Sequence, residues 1–319
     1  MQNKSILLAL SGSEQSYQAT QVAWSLAKKT NSSLVAQHVV DVRSAWYFFG
    51  RERSGFLGSG LYISAYESVC NSLKEIAKKI ADKYDAMSES QELRSNCLID
   101  EGDPIDEICK RAQNADLVIT GHKPSGTGDC NERFTKQSLA VGLANRCPKP
   151  LLVIQGQLSA WTKLKILVSV EHLNFQFISE CLKLSDALGL SPELICLASG
   201  MHEEPAVKLY SDLRAAHPEL ADLNIEMVGV GGGIGEDALL WAERPLHVEL
   251  AAAEGDLFVA PTEQIGSKRI TVLGANTEAF LQALPLPSIL FFPEENLKSL
   301  IVEKSAFDST QEMVAEHSR

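Results

Sequence analysis

The sequence has no apolar run near the roughly 18 residues that a membrane-spanning helix needs. It has no C-x-x-C pair, and its seven cysteines (Cys70, Cys97, Cys109, Cys130, Cys147, Cys181, Cys196) are an odd number. That pattern argues against a disulfide framework or a zinc site and fits a reducing cytoplasm. The seven histidines show no H-x-x-x-H or H-E-x-x-H spacing, so no metal site is expected. There is no G-x-S-x-G elbow to mark a serine hydrolase. Residues 1–10 hold one lysine and no small-residue cleavage site, so a secretory signal is not expected. No stripe of basic residues occurs anywhere, and nucleic acid is not an expected partner.

What is present is ordinary globular material. Of 319 residues, 45% are hydrophobic and 22% charged, which excludes disorder over most of the length and suggests two domains. The net charge of −12 is unevenly placed. Residues 1–156 carry 18 basic and 17 acidic side chains, giving +1; residues 157–319 carry 11 and 24, giving −13. A phosphate-bearing ligand meets less repulsion in the first half.

Short apolar runs alternate with amphipathic stretches. In the first half, strands are predicted at Ser5–Leu10, Ser33–Val42, Leu93–Ile99, Leu117–Thr120 and Leu151–Ile154. Helices are predicted at Glu14–Thr30 behind an N-cap at Ser13, at Ala65–Tyr84, from Pro104 behind Asp103, and at Lys136–Asn145. Strands alternating with helices imply a parallel sheet covered on both faces. The second half repeats the order: KILVSV at Lys165–Val170 matches SILLAL at Ser5–Leu10, and GDLFV at Gly255–Val259 matches ADLVI at Ala115–Ile119. The closing segments agree best, RCPKPLLVI at Arg146–Ile154 and ALPLPSILF at Ala283–Phe291. In both, P-x-P stops a helix and sets an extended entry to an apolar strand. The expectation is two α/β domains, 1–156 and 163–292, with a polar tail at 293–319.

The stretch EGDPIDEICKRAQNADLVITG at Glu101–Gly121 closely resembles the universal stress protein family. The opening ILLALSGSEQS at Ile6–Ser16 and the close SLAVGLANRCPKPLLVI also resemble it. The chain is identified by this resemblance as a tandem, two-domain member. The resemblance implies five-stranded parallel sheets with helices on both faces. It also implies ATP or AMP bound by a glycine loop after the fourth strand, where backbone N–H groups and a helix N-terminus receive phosphates. Carried onto this sequence, the nucleotide-binding residues are Ser11, Val40, Gly121, Gly126, Gly128, Gln137 and Ser138, with adenine near Val39–Val40 and Asp41.

The pattern departs in three places. Ser11 stands where the family has an acidic residue, Pro124 where the loop has its second glycine, and Gln137 where a glycine precedes the hydroxyl of Ser138. In the second half, Glu171 keeps the acidic position, but Ala275 removes the hydroxyl after Gly274, and Pro261–Val272 holds one glycine, Gly266. No nucleotide is expected there.

Three other signals are weaker. GVGGGIG at Gly229–Gly235 fails the G-x-G-x-x-G spacing and follows a third strand, so it reads as a turn. SGSEQS at Ser11–Ser16 resembles the S-G-G-x-D-S loop of ATP pyrophosphatases, with Ser13 and Gln15 as departures; a helix cap is the plainer reading. The aromatic, glycine-rich segment Arg43–Leu61 reads as a loop packed on its domain, or else as a lid or partner loop. The functional expectation is a cytoplasmic stress-response or regulatory protein with at most slow ATP hydrolysis. The alternatives are a scaffold with vestigial pockets and a pyrophosphatase-type enzyme. Leu151–Ile154 and Ser288–Phe292 are expected to pair as an internal pseudo-dimer, with a homodimer as the further option.

Overall fold

The computed structural model describes residues 4–43, 59–122, 138–156, 160–169, 174–199, 211, 215, 223–230, 250–265, 268–271, 277, 280, 281, 284 and 286–295. The first unit runs β1 (Ser5–Leu10), α1 (Glu14–Thr30), β2 (Ser33–Val40), α2 (Ser59–Ser90), β3 (Cys97–Glu101), α3 (Pro104–Ala112), β4 (Leu117–Gly121), α4 (Leu139–Arg146) and β5 (Leu151–Ile154). The second comprises β6 (Lys163–Ser169), α5 (Phe175–Leu188), β7 (Ser191–Ser199), β8 (Asn224–Val230), β9 (Asp256–Ile265), β10 (Lys268–Thr271) and β11 (Ser288–Pro293).

Among the described residues the strands form one sheet of eleven, in the order β3-β2-β1-β4-β5-β11-β9-β6-β7-β8, with β10 on β9. Counted from its outer edge, each unit therefore has its strands in the order third, second, first, fourth, last, with β10 of the second unit standing off this row. All pairings within this row are parallel except the central joint. There β5 meets β11 antiparallel, with Ser288 opposite Ile154 and Phe291 opposite Leu151. The two P-x-P strands thus cover each other's open edges, as an exposed apolar edge demands. The N–H groups of Gln155 and Gly156 both donate to the Pro287 carbonyl, at 3.0 and 3.2 Å.

The alternation of strand side chains divides the core into two layers. Ile6, Leu8 and Leu10 face Ala19, Ala23 and Trp24 of α1 and Tyr84 of α2. Leu7 and Ala9 face the opposite layer, with Ile108 of α3 and Leu143 of α4. Each layer continues without a break into the second unit, through Phe177 and Ile178 on one side and Phe258 and Phe291 on the other. The caps form as their residues dictate. Ser13, Asp103 and Ser138 accept N–H donors at the starts of α1, α3 and α4. Pro104 follows Asp103 where a missing N–H costs nothing.

Three differences from the sequence expectation matter. The second helix is longer than Ala65–Tyr84, and the fourth begins at Leu139 rather than Lys136. The fourth strand of the second unit does not end near Val259. It continues to Ile265 and folds back on β10, pairing Thr262 with Thr271 and Glu263 with Ile270. Local β-branched residues at Thr262, Ile265, Ile270 and Thr271 suit a hairpin, and the repeat with the first half masked that signal.

Candidate functional site at the topological switch point

In a doubly wound sheet, successive crossovers from neighbouring strands leave on opposite faces at one point, and a crevice opens at their C-terminal ends. In the first unit that point lies between β1 and β4. The chain after β1 is Ser11-Gly12-Ser13, and α1 begins at once. Ser13 Oγ accepts the Ser16 N–H at 3.2 Å. The Ser11 N–H donates to Ser16 Oγ at 3.1 Å, and the Ser11 and Ser13 hydroxyls lie 2.9 Å apart. This polar turn sits at the positive end of a helix of 17 residues.

Beside it, β4 ends in Gly121-His122. A Cβ on Gly121 would come within 2.6 Å of Ser16 N and closer still to the Gln15 carbonyl. Only glycine lets the first turn of α1 lie directly on the end of β4. His122 is 3% exposed. Its N–H donates to the Ile154 carbonyl at 2.8 Å, and Nδ1 lies 3.4 Å from the hydroxyl of Ser138. Nε2 is buried with no hydrogen-bond partner among the described residues. Burial pushes the imidazole pKa below its ordinary value, so the ring is neutral at pH 7. Ser138 caps α4 by accepting the Val141 N–H at 3.3 Å.

The structure therefore brings Ser11, Gly121 and Ser138 to one end of the sheet. Val40 ends β2 in the neighbouring position, buried, with its carbonyl accepting the Gly102 N–H at 3.1 Å. Asp41 and Asp103 flank it and share Arg43, whose Nε lies 3.7 Å from Asp41 and whose Nη2 pairs with Asp103. Burial would raise the Asp103 carboxyl. The Asp106 and Ile105 N–H groups and Arg43 outweigh it and hold the pKa below the usual range. Gly126, Gly128 and Gln137, with Lys123 and Pro124, lie outside the described residues. So do Glu171, Gly266, Gly274 and Ala275, Gly231–Gly235 and most of the 43–61 segment. Sequence reasoning missed His122, because a single histidine after a strand has no spacing signal. Its cue was position: it immediately follows the Gly121 that closes β4.

In the second unit, the β9–β10 hairpin occupies the stretch where a glycine loop was looked for, and it packs against α4 of the first unit. Arg269 on β10 is buried, 2.6 Å from Glu295. Among the described residues no group of three His, Cys, Asp or Glu side chains could hold a metal ion, and no helix is long and apolar enough to cross a membrane.

No protein-family model matches the sequence, and no curated protein matches it significantly. Solved structures do match. A universal stress protein from Archaeoglobus fulgidus DSM 4304 aligns with a TM-score of 0.53 at 14% identity, covering 92% of this chain and 99% of that one. The chain has the universal stress protein fold. A functionally unknown protein from Pseudomonas aeruginosa PAO1 aligns with a TM-score of 0.51 at 14% identity, covering 96% and 98%. The universal stress protein fold here is present as two tandem units, and both matches extend over nearly the whole of them.

Proposed function

We propose that the chain is a tandem universal stress protein that binds one adenine nucleotide, ATP or AMP, weakly at the switch point of its first unit, and that it acts by binding rather than by efficient catalysis. The observation that carries this reading is the convergence of two helix N-termini, those of α1 and α4, at the ends of β1 and β4, beside Ser11, Ser138 and the neutral ring of His122. Oriented N–H groups of this kind favour phosphate oxygens. The reading puts adenine near Val39–Val40 and Asp41 and phosphates near Gly121, Gly126, Gly128 and Ser138. Charge supports the first unit, at +1 against −13. The hairpin in the second unit supports a scaffolding role there. The proposed domains are 1–156 and 163–292, followed by a tail, in a cytoplasmic protein.

Binding is expected to be weak because Pro124 and Gln137 each stand where the family offers a donor or a close approach. A hydrogen bond to a charged group is worth about 1.5–3 kcal/mol, so losing two lowers affinity by about a hundredfold or more. Calorimetry with ATP, ADP and AMP on wild type and Ser138→Ala tests the site. Heat with at least one nucleotide, reduced in the variant, is the expected result. No heat with any of them, or unchanged binding by Ser138→Ala, overturns it. Mass spectrometry of molecules released on denaturation, after loading with ATP or AMP and rapid desalting, is the companion experiment; an adenine nucleotide retained in part, and less in Ser138→Ala, is expected.

A further inference from the structure

A second cavity lies on the outer side of the first unit, in the groove between α1 and α2. It measures about 330 Å³, within the size range of small-molecule sites. It opens at Gly12 and Ser13 and extends to Trp24, so it follows about 16 Å of α1 at 1.5 Å per residue.

Its floor is apolar by construction. The Trp24 and Tyr84 rings lie 5.8 Å apart. Their polar atoms are already engaged, with Trp24 Nε1 donating to the Tyr84 hydroxyl at 3.4 Å and that hydroxyl 2.6 Å from Ser95 Oγ. What remains facing the cavity is ring surface, together with Ile80 and Met87. At its edge, Ile76 and Tyr17 are 53% and 46% exposed, apolar area that an occupant would cover.

The rim is charged, and of one sign. Lys79 and Lys83 both line the cavity, one helical turn apart. Lys74 on the same helix pairs with Glu101 at 2.8 Å. Lys79 and Lys83 have no carboxylate partner among the described residues. Two unpaired ammonium groups above an aliphatic and aromatic floor fit an anionic head on an apolar body. They disfavour a cationic amphiphile, and a neutral one gains hydrogen bonds there but no charge pairing.

We propose that this groove is a binding site for a small amphipathic monoanion, a medium-chain aliphatic carboxylate, with its chain on Trp24, Tyr84 and Met87 and its head at Lys79 and Lys83. The site meets the switch-point turn at Leu10, Gly12, Ser13 and Ser16, and its floor and lysine rim lie away from that turn, so it does not depend on nucleotide binding there.

The test uses the full chain with decanoate below its micelle concentration, read by calorimetry and by tryptophan fluorescence. Decanol and decyltrimethylammonium serve as comparisons. One decanoate per chain is expected, with a fluorescence change lost in Trp24→Phe. The Lys79→Glu/Lys83→Glu double variant is expected to bind at least tenfold more weakly, as is Met87→Trp, which fills the floor. The lysines are exposed, so the charge reversal keeps the fold and carries the test if Met87→Trp does not fold. No saturable binding overturns the proposal. So does equal affinity for the cationic analogue, unchanged binding by the charge-reversed protein, or a fluorescence response that persists in Trp24→Phe.

Discussion

Lys165 of β6 and Asp256 at the start of β9 form an ion pair at 2.8 Å, with side chains 7% and 2% exposed. Lys165 Nζ also donates to the Ala251 carbonyl at 2.5 Å and lies 5.3 Å from the centre of the Phe258 ring. Asp256 accepts the Ala253 N–H at 2.9 Å. At an effective dielectric of about 20, two charges at this separation attract by ~6 kcal/mol. Desolvating both ions offsets most of that, so the intact pair contributes little net stability. Breaking it is another matter. Lys165→Met keeps the stem and removes the charge, leaving a buried carboxylate held by one N–H. The expected loss is about 3–5 kcal/mol. Replacing both, as Lys165→Met/Asp256→Leu, removes the uncompensated charge. It leaves the Ala253 N–H and the Ala251 carbonyl without these partners, a cost of about 1–3 kcal/mol for each that is not rehydrated. The double variant should therefore be more stable than Lys165→Met alone, a strongly non-additive cycle. Urea unfolding followed by circular dichroism measures wild type, Lys165→Met, Asp256→Leu and the double variant, with midpoints compared at constant slope. If Lys165→Met lies within about 1 kcal/mol of wild type, or if the single effects simply add, the pair is not buried as described and the reasoning fails.

Gly121→Ala places a methyl group against the backbone of Gln15 and Ser16, which cannot swing aside as a side chain can. A destabilisation of about 1–3 kcal/mol is expected, and an unchanged melting temperature would refute the contact. Asp103→Ala removes the α3 cap and should cost about 1 kcal/mol near neutral pH. Because the Asp103 pKa is depressed in the folded state, that stabilisation is complete above an unfolded value of about 4 and fades as pH falls through the folded one. The gap between wild type and variant should close on acidification; a gap that widens contradicts the assignment. Residues 1–156 produced alone expose the edge of β5, whose four residues are all buried in the full chain. Light scattering should show dimers or larger species, and a stable monomer would argue against the edge.

Much of this architecture was legible from local pattern. Apolar runs located four strands of the first unit closely, while the third begins at Cys97 rather than Leu93 and runs to Glu101; Ser13, Asp103-Pro104 and the paired P-x-P segments marked caps and strand entries. These features depend on nearest neighbours, which a sequence displays directly. The duplication was legible for the same reason, and it led to the expectation that β5 and β11 would join. Other features required the chain to be folded. The extension of β9 into a hairpin went against the repeat, because the first half suggested a loop at that place. Burial of His122, the close approach that makes Gly121 necessary, and the Trp24–Tyr84 floor under Lys79 and Lys83 all bring together elements distant in sequence. Lys165 and Asp256 are 91 residues apart, and nothing local marks them as partners. Sequence by itself determined the elements of the first unit, their order and the end of the sheet where a ligand would be sought. Tertiary structure alone decided which polar groups lose water and which helix faces leave a gap, because desolvation and packing depend on every neighbour at once.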